Sequence, residues 1–188
     1  INNHSTVEEV TKAYAKFGAS GISVLTDEQF FGGHLKDLLA ATINEVPLLR
    51  KDFMIDEYQI IEAKAYGAEV ILLIAACLTK EEVKQMAATA KSLGLEVLLE
   101  IHNEEELEHI CDEVDLVGVN NRNLKTFEVT IDTSLQLINK IPSEKLAIAE
   151  SGISNVETIL TLRQAGFKGF LIGENFMKEA NPAIAFEH

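Results

Sequence analysis

Along the chain, short apolar runs alternate with longer amphipathic stretches. The runs are rich in Val, Ile and Leu, too short to be helices, and occupy residues 21–26, 47–52, 69–75, 96–101, 116–121, 146–151 and 169–174. They predict seven strands. The stretches between them, such as LKDLLAATI, EYQIIEAKAYG, KEEVKQMAATAKSLG, EEELEHICDEV and NVETILTLRQAG, carry apolar residues at helical spacing. Several close on glycine (Gly67, Gly94, Gly166), a helix-stop signal, and acids gather at helix starts, as in Lys80-Glu81-Glu82 and Glu104-Glu105-Glu106, where the helix dipole favours them. The repeating unit is therefore a strand followed by a helix, and the fold class is α/β.

Strands apolar on both sides and joined by helices form parallel sheets covered on both faces. A doubly wound open sheet and a closed eight-stranded βα barrel compete. The open sheet predicts a glycine-rich phosphate turn after its first strand, and neither GxGxxG nor GxxxxGK[ST] occurs in the chain. The barrel predicts chemistry at strand ends, and these ends carry Lys51, Glu100, Asn120 with Arg122, Glu150 with Ser151, and Glu174. An amphipathic stretch at 6–17, TVEEVTKAYAKF, precedes the first visible strand. It reads as the helix of a unit whose own strand lies upstream of Ile1. The expectation is one βα-barrel domain over residues 1–188, with strands 2–8 of the barrel present and strand 1 missing.

Sixteen basic against thirty acidic residues give a net charge of −14, with no basic cluster, which argues against nucleic acid and anionic membranes as partners. A few lysines or arginines in a cleft still suit a small anionic substrate. No apolar run reaches membrane-spanning length and the first residues lack a leader pattern, so the expected location is cytoplasmic. Cys77 and Cys111 show no paired or metal-ligand spacing and read as plain buried or half-buried thiols, and the five histidines form no ligand motif.

Lys51, inside VPLLRKDF, stands where burial and neighbouring charge are expected to lower its pKa for acid–base work, with Arg50 on the opposite side of the pleat. A solvated strand-end lysine is the alternative. Glu100 ends a buried strand, which calls for a polar cavity or a structural ion pair. GVNNRNL suits the fixing of a carbonyl, hydroxyl or carboxylate, although asparagines tolerating positive φ would account for Asn121 and Asn123 without function. Ser151 has no strand-end histidine in phase to activate it. Gly152, Gly173 and the helix start after Gly173 occupy the turns where such barrels hold phosphate. Phe30 and Phe31 either line a site for a flat ring or pack over the rim.

The phrases SVLTDEQFFGG, LLRKDFMIDEYQI, AEVILLI, LLEIHN, VGVNNRNL, AESGIS and LIGENFM, in that order across residues 14–177, resemble the indole-3-glycerol phosphate synthase family. The resemblance implies an eight-stranded TIM barrel of tryptophan biosynthesis. It implies ring closure of carboxyphenylamino-deoxyribulose phosphate with loss of carbon dioxide and water, and no cofactor or metal. Carried over by position, Lys51 is the general acid on the substrate carbonyl and Glu100 the acid/base partner in dehydration. Asn120, Glu150 and Ser151 orient hydroxyls and stabilise charge, and Arg122 binds an anionic group. Gly152, Gly173 and Glu174 belong to the phosphate cradle, while Phe30 and Phe53 wall the pocket for the anthranilate ring.

The family's Glu-x-Lys pair on the first strand and its Ser-Pro-Ser loop have no counterpart before Ile1, so these residues alone are expected to turn over substrate poorly. Two other readings stand beside this one. The first is a Schiff-base sugar-phosphate aldolase using Lys51. The second is a non-catalytic barrel fragment that self-associates through its open sheet edges.

Overall fold

Each predicted run forms a strand. In the computed structural model, which describes residues 5–182 and 185, the strands are β1 (Ile22–Leu25), β2 (Leu48–Lys51), β3 (Val70–Ile74), β4 (Glu96–Ile101), β5 (Leu116–Asn120), β6 (Leu146–Glu150) and β7 (Gly169–Leu171). All pair in parallel, each with the next in sequence, in one seven-stranded sheet. The helices are α1 (Val7–Lys16), α2 (Leu35–Ala41), α3 (Glu57–Ala65), α4 (Lys80–Ser92), α5 (Asp132–Leu137), α6 (Val156–Ala165) and α7 (Glu174–Met177).

The helix starts follow from local chemistry. Thr6, Asp56 and Thr79 cap α1, α3 and α4, and in each case the residue three places on (Glu9, Gln59, Glu82) returns its side chain to the capping backbone. Gly67, Gly94 and Gly166 follow α3, α4 and α6 with φ of 89°, 69° and 126°. Two expectations are corrected. The helix expected over 104–114 is reduced to a 3-10 turn, Glu105–His109. Four glutamates crowd positions 104–108, and Glu106 turns its carboxylate back onto His102 N (2.7 Å) instead of facing solvent. The seventh strand stops at Leu171, because Gly173 caps α7 and Glu174 opens that helix. The sequence pattern also missed α5, a short helix. Cys77 is exposed rather than buried, at the end of a 3-10 turn beyond β3, and Cys111 is half-buried; both are free thiols. No helix among the described residues is long and apolar enough to cross a membrane.

The sheet is strongly curled. Neighbouring strands lie about 4.8 Å apart, so β2 and β6 would stand about 19 Å apart if flat, yet Lys51 of β2 reaches Glu150 of β6 at 3.5 Å. Outside the sheet, α1 and α7 meet: the Tyr14 hydroxyl donates to Met177 Sδ at 3.6 Å and its ring lies 6.1 Å from that of Phe176. The two ends of the helical layer thus come together, while β1 and β7 each have one strand neighbour among the described residues.

Alternation sorts each strand between two cores. Outward residues such as Val24, Leu48, Ile71, Val97, Val117 and Ala149 pack against the helices. Inward residues Leu49, Leu72, Ile74 and Leu98, with Leu116, Ile148 and Leu171, form a second, apolar floor in the concave interior. Above that floor the inward positions turn polar: Lys51, Glu100, Asn120 and Glu150.

One buried polar network sits on the outer side. Arg50, 3% exposed, pairs with Asp52 and Glu62 at 2.9 Å each and donates to Thr26 Oγ1 (3.1 Å) and the Gln59 carbonyl (2.8 Å). Thr26 completes it by donating to Asp52 Oδ2 at 2.6 Å. Arg50→Ala leaves Asp52 buried without its cation. The expected loss is about 3–5 kcal/mol of unfolding free energy, measured by urea denaturation. A loss below 1 kcal/mol would show the network to be dispensable.

Candidate active site

Arg50 and Asp52 are both fastened outward, so the residue between them must face the interior. Lys51 does, and its Nζ stands 3.1 Å from Glu100 Oε2 and 3.5 Å from Glu150 Oε2. Asn120 Nδ2 donates to Glu100 Oε1 at 3.0 Å. Strand register brings these residues together, since Glu100 lies level with Gly118, and Asn120 with Glu150.

The electrostatics differ from the sequence-based expectation for Lys51. Burial alone would lower its pKa, but Glu150 and Glu100 outweigh burial and raise it, so Lys51 is a firmly held cation. The two carboxyls are driven apart. Burial works against ionised Glu100, yet His102, Lys51 and Asn120 together hold it well below the ordinary carboxylate range. Glu150 is pushed up to about 8, by burial first and by the neighbouring Glu100 charge second. At neutral pH one acid is charged and the other holds its proton. Glu150 Oε1 has no hydrogen-bond partner among the described residues and lies directly over Gly118, where an added Cβ would sit 2.1 Å from it. The missing side chain at 118 is what makes room for the Glu150 carboxyl.

The mouth above Lys51 is aromatic. Phe31 stacks on Phe53 with centroids 4.8 Å apart, Phe30 meets Phe53 edge-on at 5.4 Å, and Lys51 Nζ lies 6.0 Å from the Phe31 centroid. Asp27 Oδ2 shapes this loop by accepting the N–H groups of both Phe30 and Phe31. Phe30 remains 71% exposed.

Arg122 is anchored by its own N–H on Asn120 Oδ1 (3.0 Å) and sends its guanidinium to Glu174 Oε2 at 2.9 Å, joining the turn after β5 to the start of α7. Ser151 and Gly152 follow β6 with φ of 64° and 71°. Serine rarely adopts that conformation, and Asn121 holds it there by donating to the Ser151 carbonyl at 3.1 Å while accepting from Ser134 N and Oγ. Asn121 is thus a buried strut, and neither it nor Asn123 uses the positive φ considered from sequence. Asn123 instead accepts from Lys125 N and Thr126 N in a side-chain turn. Gly173 precedes α7, in the turn that follows β7, the strand paired with β6.

His102 was missed. It lies two residues beyond Glu100 on the same side of the chain, with Nε2 3.1 Å from Glu100 Oε1 and Nδ1 3.3 Å from Glu106 Oε2. Burial alone would lower its pKa, but those two carboxylates raise it to about 9. The phrase Glu-Ile-His carries the period-2 signal that would have found it. Gly118 was missed too, and no sequence signal marks a glycine whose role is set by a side chain on the next strand. Among the described residues no group of three or more His, Cys, Asp or Glu side chains is arranged to hold a metal ion.

Known proteins resemble this chain in fold and in sequence. A solved chain described as "Native KDPGal structure" shares the fold, with a TM-score of 0.71 over 96% of this chain and 82% of that one, at only 12% identity. An indole-3-glycerol phosphate synthase of Bacteroides thetaiotaomicron is 50% identical over 100% of this chain and 73% of its own length. Those of Chromobacterium violaceum and Polaromonas naphthalenivorans are 48% and 47% identical, each over 94% of this chain and 67% and 68% of their own. The family model described as indole-3-glycerol phosphate synthase matches residues 1–188, and the chain belongs to that family.

Proposed function

We propose that this chain carries the carboxy-lyase reaction of its family in tryptophan biosynthesis. The reaction closes 1-(2-carboxyphenylamino)-1-deoxyribulose 5-phosphate to indole-3-glycerol phosphate, releasing carbon dioxide and water. The observation that carries the reading is one lysine Nζ set 3.1 Å and 3.5 Å from two buried carboxyls under an aromatic mouth. Ring closure turns a carbonyl oxygen into an alkoxide, and a fixed cation with a proton to give is what that step requires.

In this reading Lys51 gives its proton to the carbonyl oxygen as the ring carbon bearing the carboxylate forms the new carbon–carbon bond. Loss of carbon dioxide returns the bonding pair to the ring and restores its aromaticity. Dehydration then removes the new hydroxyl, with a proton, as water and takes a proton from the adjacent carbon, with Glu100 as the acid/base group. Protonated Glu150, Asn120 and Ser151 orient hydroxyls and stabilise developing charge. Phe30 and Phe53, joined by Phe31, receive the anthranilate ring, and Arg122 takes an anionic group in exchange for Glu174. Gly152 and Gly173 leave backbone open to the phosphate. A Schiff-base aldolase needs an uncharged lysine amine, and a Lys51 held cationic by two acids is poorly suited to that role.

We further propose that the seven strands are strands 2–8 of an eight-stranded barrel forming a single domain of a cytoplasmic enzyme, its first strand lying upstream of Ile1. Support comes from α1 meeting α7 outside a sheet whose two edges are unpaired among the described residues and from relatives that extend beyond the matched region. Supplying an upstream strand segment is expected to raise stability and turnover together and to keep the protein monomeric. Without it the open edges are expected to self-associate, read by sedimentation at several concentrations. A monodisperse, stable and fully active monomer of these 188 residues would rule this out.

Lys51→Ala is expected to lower kcat by about 10²–10⁴-fold, the contribution of a general acid, followed by indole fluorescence. An unchanged rate would remove Lys51 from the mechanism. Turnover is also expected to fall as pH rises through about 8, where Glu150 loses its proton and sets a second negative charge beside Glu100. Glu150→Gln cannot ionise and should lack that basic limb. A limb that persists in the Gln variant would assign it to another group.

A further inference from the structure

The reading above accounts for Lys51, Glu100 and Glu150 but leaves a buried histidine beside them without a task. His102 is 8% exposed and follows the last residue of β4, on the inward side that it shares with Glu100. Its ring is held from both sides. Glu106 Oε2 stands 3.3 Å from Nδ1 and also accepts His102 N at 2.7 Å, so the acid grips both backbone and ring. Asn103 steadies Glu106 in turn, donating to its Oε1 at 2.8 Å and accepting its N–H at 3.2 Å. On the far side Nε2 sits 3.1 Å from Glu100 Oε1, an ion-pair distance lying off the line of a hydrogen bond.

We propose that His102, as an imidazolium clamped by Glu106, is a positioning residue that keeps Glu100 ionised and aimed at Lys51. It reaches substrate only through Glu100, and the proposal rests on the reading of Lys51 and Glu100 given above. The two oxygens of Glu100 divide their partners: Oε2 takes Lys51, while Oε1 takes Asn120 and faces His102. Without His102, a buried carboxylate on a single lysine would share that lysine with Glu150, and the proton could settle on either acid. With it, the cluster holds two cations, Lys51 and His102, against two charged acids, Glu100 and Glu106, and Glu150 stays protonated.

The other ionisable groups around this cluster favour the same state. Cys77, in the turn after β3, has its thiol pushed up by burial and then by the Glu100 and Glu106 charges, so it remains neutral. On the α5 side, Lys140 and Glu104 line the cavity that opens beside His102 and are ion-paired with each other, adding no net charge. Raised titration of the ring agrees with this arrangement.

The test compares the full chain with His102→Gln and Glu106→Gln. Nitrogen NMR of the parent is expected to show His102 protonated at pH 7, with its titration midpoint moving down in Glu106→Gln. In steady-state assays His102→Gln should lose kcat with KM unchanged, and its acid limb should move up by about 1–3 pH units as Glu100 loses a cationic neighbour. A neutral His102 at pH 7 in the parent overturns the proposal whatever the turnover. So does a His102→Gln enzyme with the parent's kcat and acid limb. Absence of turnover in the parent even with the upstream strand segment supplied would instead strike the proposed reaction, leaving the NMR arm to decide on His102. Should His102→Gln fail to fold, the parent and Glu106→Gln titrations decide it.

Discussion

A lysine ammonium within 3.5 Å of two buried carboxyls is one charge short of neutrality, and the interior cannot leave that imbalance in place. Each uncompensated buried ion costs several kcal/mol even after relaxation. Two responses are visible. Glu150 keeps its proton, and His102 brings a second cation to Glu100, itself balanced by Glu106. The outcome is an ammonium with a defined donor direction, a carboxylate, and a neutral acid, all above a floor of leucine and isoleucine. Two chemically identical acids thereby acquire different protonation states from their surroundings alone.

That arrangement depends on the facing of β2. Arg50 and Asp52 are locked outward by Thr26, the Gln59 carbonyl and Glu62, and a slip of one residue would turn Lys51 into the helical layer and Arg50 into the site. Because the Arg50 network is buried and fully partnered, such a slip would strand several charges at once. The outward network therefore fixes the inward lysine, although none of its members touches the site. Curling of the sheet does the rest by bringing β6 within reach of β2, and the bare Gly118 lets the Glu150 carboxyl lie across β5 instead of being forced away from it.

How much of this was legible follows from where each signal lives. Strands, helix caps and the polar strand ends are written in local pattern, so the placement of Lys51, Glu100, Asn120 and Glu150 at strand ends was readable from sequence. The helix expected over 104–114 failed because apolar spacing ignores what the polar residues do, and there Glu106 is committed to His102. The direction of the Lys51 pKa was misjudged for a related reason: burial is readable from an apolar run, but the two acids that outweigh it arrive from strands about 50 and 100 positions away, as the contacts record. Gly118 and the strut Asn121 lie in the same category, since their roles are defined by Glu150 and Ser151 on a neighbouring strand.

The chain's net charge of −14 opposes an anionic substrate at long range. At the mouth, however, the balance is local. The Arg122–Glu174 pair is open to solvent, with side chains 37% and 69% exposed, and pairs of that kind contribute only about 0–1 kcal/mol. Glu174 is therefore a weak counter-ion to Arg122, adequate to hold the guanidinium over the site and easily exchanged for an incoming carboxylate or phosphate. Lys51 is the reverse case: both its acids are buried, Glu100 is hydrogen-bonded to Lys51 and Asn120, and no entering anion competes with them on equal terms. On the proposed reading, the site thus separates a cation offered for binding from a cation reserved for chemistry, and the depth of each partner acid sets the difference.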